Sequence, residues 1–448
     1  MTQVNSIDLK MLSFEKRRKN EQVLAQIRLH SSQIQFEKEL EFGDQFLIDC
    51  QRIVTTRKFR KMAHTMQVMF GGGVLFRSRL THAIDSSVIA ERIAVNHFKL
   101  KGKSLSLIKA SVLAHDIGQS PLGYSGNKAL ERKLHEYKID FDDSVGAIKV
   151  LCHWSNYGIS FAGLNPTVGL LRQIALGGIT YRAGVGKNYI NPKNITQTVK
   201  EIDKQCNLDL NNWADIEGLI ANIADGLSWI NEDIMAGLIE GIFTLSELTS
   251  ASPLALRIYH SLIFDMKKNG YSKKAKEIEN KFYEPLGLSE SDFVKLLCHY
   301  MLNEMILDLV TETKFQLNEN KSKIKFADDS RKLEQPIISL SPAMYEQWNY
   351  IFKFFYKNLY SRLLQANGGF EDIIERIFDH LYKNPQYMDP IYQKRAVQLK
   401  GRALAELVLE YIMMEMTDRE ILNEIELIDP GLFEIIINNM NAVDHHAL

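Results

Sequence analysis

Cysteine, proline and glycine are scarce in this 448-residue chain, which holds four, ten and 26 of them. The cysteines, Cys50, Cys152, Cys206 and Cys298, lie far apart, form no CxxC pair and have no histidine at zinc-site spacing. That pattern speaks against a disulfide framework or a zinc knuckle and predicts reduced, buried thiols. With so few helix breakers and with Leu, Ile, Ala, Lys and Glu plentiful, long helices and an all-α fold are predicted. Charge of one sign is missing too. Lys and Arg (54) nearly cancel Asp and Glu (55), so no global field exists to gather nucleic acid or an anionic membrane, and nucleic acid is not indicated as a partner. An anionic ligand must be held by a local cluster. There is no run of about 18 apolar residues, and the opening MTQVNSIDLKMLSFEKRRKNEQ lacks the apolar stretch of a secretory signal. A cytoplasmic location without a membrane partner is the resulting expectation. What is present, 45% apolar and 10% aromatic residues, suffices for one large core or two ordinary ones.

Three regions are expected along the chain: a helical extension at 1–45, a core at 46–250 and a C-terminal helical region at 251–448. No internal repeat is visible. The basic stretch from Ile53 to His82 contains the triplet Gly71 to Gly73, a flexible turn between two helices and not a P-loop, since no GKS or GKT follows. SSVIAERIAVNHFKL and SLSLIKASVLAHD space their apolar residues three or four apart, and the second stops at Gly118 as helices stop at a C-terminal glycine. Residues 155–215, with GGITYRAGVGKNYINPKN, read as a long loop or cap over a pocket. Between 214 and 243 one apolar stripe joins Ile216, Leu219, Ile220, Ile223, Leu227, Ile230 and Ile234, and at 100° per residue Asp225, Trp229 and Asp233 share the opposite face. The polar tract 314–336 reads as an exposed loop or short hairpin, RKFRK at 57–61 as a solvated helix face, and His445-His446 as part of a disordered tail.

The informative string is His115-Asp116 at a predicted helix end, with His82 before it and Asp225 after it on separate helices. Imidazole and carboxylate donors contributed by several helices are how helical proteins build divalent-metal sites. A metal so held can orient phosphate oxygens and activate a water.

RSRLTH at 77–82, AHDIGQSPLGYSGNKAL at 114–130 and ADGLSWINED at 224–233 resemble the metal-binding motifs of the HD-domain deoxynucleoside triphosphate triphosphohydrolases, the dGTPase-like family. RIVTTRKFRKMAHTMQV at 52–68, FDDSVGAIKVL followed by GLNPT, and EYIMMEMTDREIL at 410–422 extend the resemblance in the same order. The resemblance implies an HD-domain helical bundle, Mn²⁺ or Mg²⁺ as cofactor, and His82, His115, Asp116 and Asp225 as the metal ligands. It implies hydrolysis of a deoxynucleoside triphosphate to the deoxynucleoside and tripolyphosphate. By the same resemblance Arg79 offsets phosphate charge, Gln67 holds the deoxyribose edge, Gln119 and Tyr124 contact the phosphate or leaving oxygen, and Trp229 with Asp233 lines the sugar. A homo-oligomer is implied as well, with a hexameric ring among its forms, and nucleotides act in the family as substrates or effectors.

Three positions depart from that pattern. Where the family has a second histidine and, three residues on, a glutamate assigned to catalysis, this chain has Tyr124 and Asn127. Tyrosine can donate a proton but is a poor base at neutral pH, and asparagine exchanges none. Trp229 likewise replaces the family's usual tyrosine. Three readings stay open on the sequence: an altered triphosphohydrolase, a nucleotide-sensing pseudoenzyme of the same fold, and an HD-type phosphodiesterase acting on nucleic acid or a cyclic nucleotide.

Overall fold

The computed structural model describes residues 7–31, 43–67, 77–183, 196–361 and 369–444. Regular structure among them is helical apart from three isolated bridges, as the shortage of breakers predicts. Gly71 to Gly73 and His445-His446 lie outside the described residues.

The N-terminal part comprises α1 (Lys19–Gln26), α2 (Gln45–Thr55), α3 (Arg57–Lys61), α4 (Arg79–Arg92), α5 (Lys103–Ala114), α6 (Gly123–His135) and α7 (Asp143–Lys149). It continues with α8 (Val168–Ala183), α9 (Gln197–Cys206) and α10 (Ile216–Ile239). Local sequence sets several starts. Ser78 caps α4 by accepting the N–H of Thr81, and Asp44 caps α2 from Phe46 and Leu47. Such caps satisfy N–H groups that a first helical turn leaves without partners. The 24-residue α10 is the central strut, packed against α4 and α5. Its predicted stripe is buried except for half-buried Ile223, and Trp229 and Asp233 on the other face are buried too.

The C-terminal part runs through α11 (Leu245–Ala251), α12 (Pro253–Lys268), α13 (Ser272–Asn280), α14 (Ser291–Glu319) and α15 (Pro342–Phe355). It ends with α16 (Phe370–Lys383), α17 (Pro390–Ala396), α18 (Arg402–Glu415), α19 (Asp418–Ile428) and α20 (Pro430–Asp444). On α16, Phe370, Ile373, Ile374, Ile377, Phe378 and Leu381 form one buried stripe at helical spacing. One large apolar core joins α2, α4, α5, α8 and α10 to α12, α14 and α15. A second joins Leu122 to Val145 with α16 to α20.

Two loop expectations are corrected. Residues 168–183 are helical, and of GGITYRAGVGKNYINPKN the part at 184–194 lies outside the described residues. The glycines of α8 mark close packing instead of a turn: a Cβ at Gly169 would meet Ala25 O at 2.9 Å, and one at Gly177 would meet Asn222 Oδ1 at 2.9 Å. The polar tract at 314–336 is neither an exposed loop nor a hairpin, because α14 runs through Glu319 and short 3₁₀ turns follow. Three of its charges are paired: Arg331 with Asp209 at 2.9 Å, and Asp328 and Asp329 with Arg18. The N-terminal segment does more than lean on the body. Leu9, Leu12 and Phe14 are buried, and Arg17 pairs with Asp215 at 3.3 Å and with Glu217.

Cys50, Cys152 and Cys298 are buried and Cys206 is half-buried, all as free thiols. Burial pushes Cys50 and Cys298 up to about 12. No described helix is long and apolar enough to cross a membrane.

Candidate metal centre and nucleotide cavity

His82 sits one turn into α4, His115 at the C-terminal end of α5, and Asp225 near the middle of α10. The packing of α10 on α4 and α5 carries these three side chains to one point. One donor atom from each lies within 4.8 Å of the other two. His82 Nε2 is 2.9 Å from Asp225 Oδ1, and His115 Nε2 is 3.4 Å from the same oxygen. Asp116 Oδ1 lies 3.6 Å from His115 Nε2, while its Oδ2 accepts a hydrogen bond from Arg79 Nη1 at 2.9 Å.

This donor set suits a divalent cation. His115 Nδ1 donates to the carbonyl of Val112 at 2.6 Å, so in the neutral ring the lone pair is on the inward Nε2, which has no hydrogen bond among the described residues although it is buried. The electrostatics agree. Burial alone would lower the His115 pKa, yet Asp116 and Asp225 outweigh it and push the ring up to about 10. Burial likewise opposes ionisation of Asp225, but the two imidazoles hold it well below the usual carboxylate range. Two carboxylates set this close, Asp116 buried and Asp225 half-buried, call for a positive charge, as a proton or as a metal.

The site opens into a cavity of about 630 Å³, within the range of small-molecule pockets. The cavity extends along α10 from Gly218 to Asp233, about 22 Å at 1.5 Å per residue, with Asp225 near the midpoint. Gln67, Arg79, His115, Asp116, Gln119, Tyr124, Asp225, Trp229 and Asp233 all line it. Nine of the eleven sequence-predicted site residues therefore surround one space.

His82 lies just behind the wall, 1% exposed. Asn127 is different: it does not line the cavity. Its Oδ1 accepts the N–H of Ser120 at 3.0 Å and its Nδ2 donates to Gln119 Oε1 at 2.6 Å. Gln119 then donates to Asp143 Oδ2 at 3.1 Å. Asn127 thus holds the loop and aims Gln119. Tyr124 stands at the rim, 71% exposed. The Arg79 guanidinium is engaged by Asp116 and, at 3.3 Å each, by the carbonyls of Met66 and Gln67. Gln67 Oε1 is buried without a hydrogen-bond partner among the described residues.

At the far end, Trp229 packs edge-on to Trp348 at 6.0 Å and contacts Phe352 and Phe355. Asp233 accepts from Arg77 Nη2 at 2.9 Å and from the Tyr360 hydroxyl at 2.6 Å. Phe352, Tyr356 and Tyr360 complete this wall, none of which sequence reasoning assigned to the site. The aromatic run from Tyr345 to Tyr360 was the available signal. Glu232 is the other omission: its Oε2 sits 3.0 Å from His82 Nδ1 and 2.9 Å from Arg77 Nη1.

Residues 338–426 match the phosphohydrolase-associated domain, which covers the aromatic wall and the Thr417-Asp418-Arg419 element. The chain is 27% identical over 384 residues to a deoxyguanosinetriphosphate triphosphohydrolase-like protein of Bartonella quintana, covering 85% of this chain and 88% of that protein. A protein of the same description from Rickettsia prowazekii is 28% identical over 387 residues, covering 86% and 91%. One from Caulobacter vibrioides is 25% identical over 382 residues, covering 85% and 88%. By its motifs, its all-α fold and these likenesses over about 85% of its length, the chain is similar to the dGTPase-like HD-domain proteins.

Proposed function

We propose that this protein hydrolyses deoxynucleoside triphosphates to the deoxynucleoside and tripolyphosphate, with a divalent cation, Mn²⁺ or Mg²⁺, held by His82, His115, Asp116 and Asp225. The observation that carries this reading is the meeting of His82, His115 and Asp225 donor atoms within 4.8 Å midway along a nucleotide-sized cavity. When bound, the cation supplies charge against the phosphate oxygens and raises the acidity of a water. The chain supplies the rest. His115 and His82 turn Nε2 inward, and Arg79 grips one oxygen of Asp116 so that the other faces His115. Trp229 and Asp233 form an apolar face and a polar edge on which a deoxyribose can rest. Gln119, held by Asn127, and Tyr124 at the rim face the phosphate arm. With the family's histidine and glutamate replaced by Tyr124 and Asn127, neither position supplies a base at neutral pH, so a lower rate than a complete site would give is expected.

We further propose a cytoplasmic location and, by resemblance, a homo-oligomer, with 46–250 as the metal-binding core and the C-terminal region closing its aromatic side. Incubating the protein with each deoxynucleotide and Mn²⁺ or Mg²⁺, beside Asp116→Ala, tests the activity. Tripolyphosphate from the parent and none from the variant supports it. The commitment of Asn127 to Gln119 and Ser120 favours, as a second reading, a nucleotide sensor of the same fold. A nucleotide-dependent rise in melting temperature without product in any mixture would replace hydrolysis with that reading.

A further inference from the structure

The two imidazoles of the metal centre are held in different ways. A neutral imidazole has one N–H, and a ring that offers Nε2 to a cation must carry its proton on Nδ1. For His115 the backbone settles this, because the Val112 carbonyl 2.6 Å from Nδ1 can only accept. His82 has no such carbonyl. Its Nδ1 faces Glu232 Oε2 at 3.0 Å and its Nε2 faces Asp225 Oδ1 at 2.9 Å, so both of its nitrogens meet a carboxylate. Without a lock on Nδ1 the proton can sit on Nε2, bonded to Asp225, and the ring then has no lone pair for a cation.

Glu232 is suited to be the lock. Arg77 Nη1 stands 2.9 Å from the same Oε2, which keeps the carboxylate ionised, and both side chains are nearly enclosed, at 14% and 10% exposure. Arg77 also donates to Asp233 through Nη2 at 2.9 Å, which ties the lock to the cavity wall. The helix supplies the spacing: Glu232 lies seven residues, about two turns, after Asp225 on α10, so the two carboxylates bracket the His82 ring from one rigid element. A carboxylate behind a metal-bound histidine fixes tautomer and orientation, and losing it typically weakens metal binding by about 10- to 100-fold.

We infer that Glu232 is the positioning residue of the metal centre, holding the His82 proton on Nδ1 so that Nε2 is free for the cation. The inference rests on the proposed metal site and adds a residue to it. The test follows free Mn²⁺ by electron paramagnetic resonance while the chelator-stripped full chain is titrated with Mn²⁺. Wild type, Glu232→Gln, Glu232→Leu and Asp225→Asn are compared, with melting curves of each metal-free protein. Glu232→Leu is expected to bind Mn²⁺ about 10- to 100-fold more weakly. Glu232→Gln, whose amide oxygen still accepts from Nδ1–H, is expected to recover most of the affinity. Equal affinity of wild type and Glu232→Leu, with binding lost in Asp225→Asn, overturns the positioning role and leaves the metal site standing. Glu232→Gln as weak as Glu232→Leu, with both melting as wild type does, overturns it in favour of a purely electrostatic effect. No Mn²⁺ bound by wild type overturns the metal site and the inference together.

Discussion

Asp418 Oδ1 accepts the backbone N–H of Leu122 at 2.8 Å, across 296 residues of chain. Its Oδ2 accepts the N–H of Met66 at 2.7 Å. One carboxylate from the start of α19 therefore clasps both segments beside Arg79, the one leading into Tyr124 and the one carrying Gln67. Leu122 has a left-handed backbone with φ +57°, which a leucine adopts only when its surroundings enforce it, and Asp418 is part of that enforcement. Burial raises the Asp418 carboxyl to about 6 against the pull of the two N–H groups, so it is ionised at pH 7.5 and accepts both. Asparagine has one acceptor where two donors point. Asp418→Asn is expected to destabilise the fold by about 1–3 kcal/mol, the penalty of a buried N–H left unpaired. Urea unfolding at pH 7.5 measures it, and a variant as stable as wild type would refute the clasp.

Lys58 gives a pH dependence of known sign. It is buried, donates to the Gln119 carbonyl at 2.9 Å, and burial lowers its pKa to about 7 from 10.5. Between those values the unfolded chain holds more protons than the folded one. Its contribution to stability is therefore complete above about 10.5 and is lost as pH falls through 7. Between pH 7 and 9 wild type should gain on the order of 2 kcal/mol relative to Lys58→Met, whose side chain does not titrate. Paired denaturant melts at the two pH values decide it. Parallel shifts in both proteins would mean that Lys58 is charged in the fold.

The candidate metal residues were legible because the chemistry of a metal site restricts both residue type and helical face. His82, His115, Asp116 and Asp225 stand out from flanking apolar periodicity, and so does the face shared by Asp225, Trp229 and Asp233. The helical class was legible from the shortage of breakers. What stayed hidden depends on contacts distant in sequence. Nothing near Glu232 announces His82, 150 residues away, and nothing near Asp418 announces Leu122. The glycines of α8 misled because a glycine at a close helix crossing and a glycine in a turn look alike in one dimension. The polar tract at 314–336 misled because Asp329 and Arg331 within it are bonded to Arg18, Asp209 and the Trp213 carbonyl.

Gly118 shows how tightly the metal loop is built. A Cβ there would meet Ala147 N at 2.0 Å and Asp143 O at 2.1 Å, both backbone atoms that cannot rotate aside. Gly146 meets the carbonyl of Gly118 in return, at 2.4 Å from an added Cβ. This contact seats α7 against the His115-Asp116 turn. Gly118→Ala must push the two segments apart, and overpacking of this kind costs about 1–3 kcal/mol, occasionally more. The expected result is a melting temperature lowered by several degrees together with weaker Mn²⁺ binding. Gly401→Ala, at a position with no atom within 4 Å but with φ +56°, separates backbone strain from collision, and equal losses in the two variants would contradict the crossing.

Tyr124 and Asn127 occupy the positions where the family's acid and base are expected, and their surroundings assign them different work. Tyr124 stands at the cavity rim with its hydroxyl available to substrate, whereas Asn127 is bonded on both sides, to Ser120 N and Gln119 Oε1. Removing the phenol hydroxyl leaves the fold untouched at an exposed position but takes away the proposed proton donor for the leaving oxygen. Tyr124→Phe should therefore lower kcat on the order of 10²-fold, the lower range for general acid help, with KM little changed. Asn127→Ala frees Gln119 to rotate and strips the Ser120 N–H of its acceptor, so KM should rise by more than kcat falls. Tripolyphosphate release at saturating and limiting deoxynucleotide separates the two. Undiminished kcat in Tyr124→Phe would remove the tyrosine from the chemistry, and would leave the phosphate arm of the site to Gln119 and the residues that aim it.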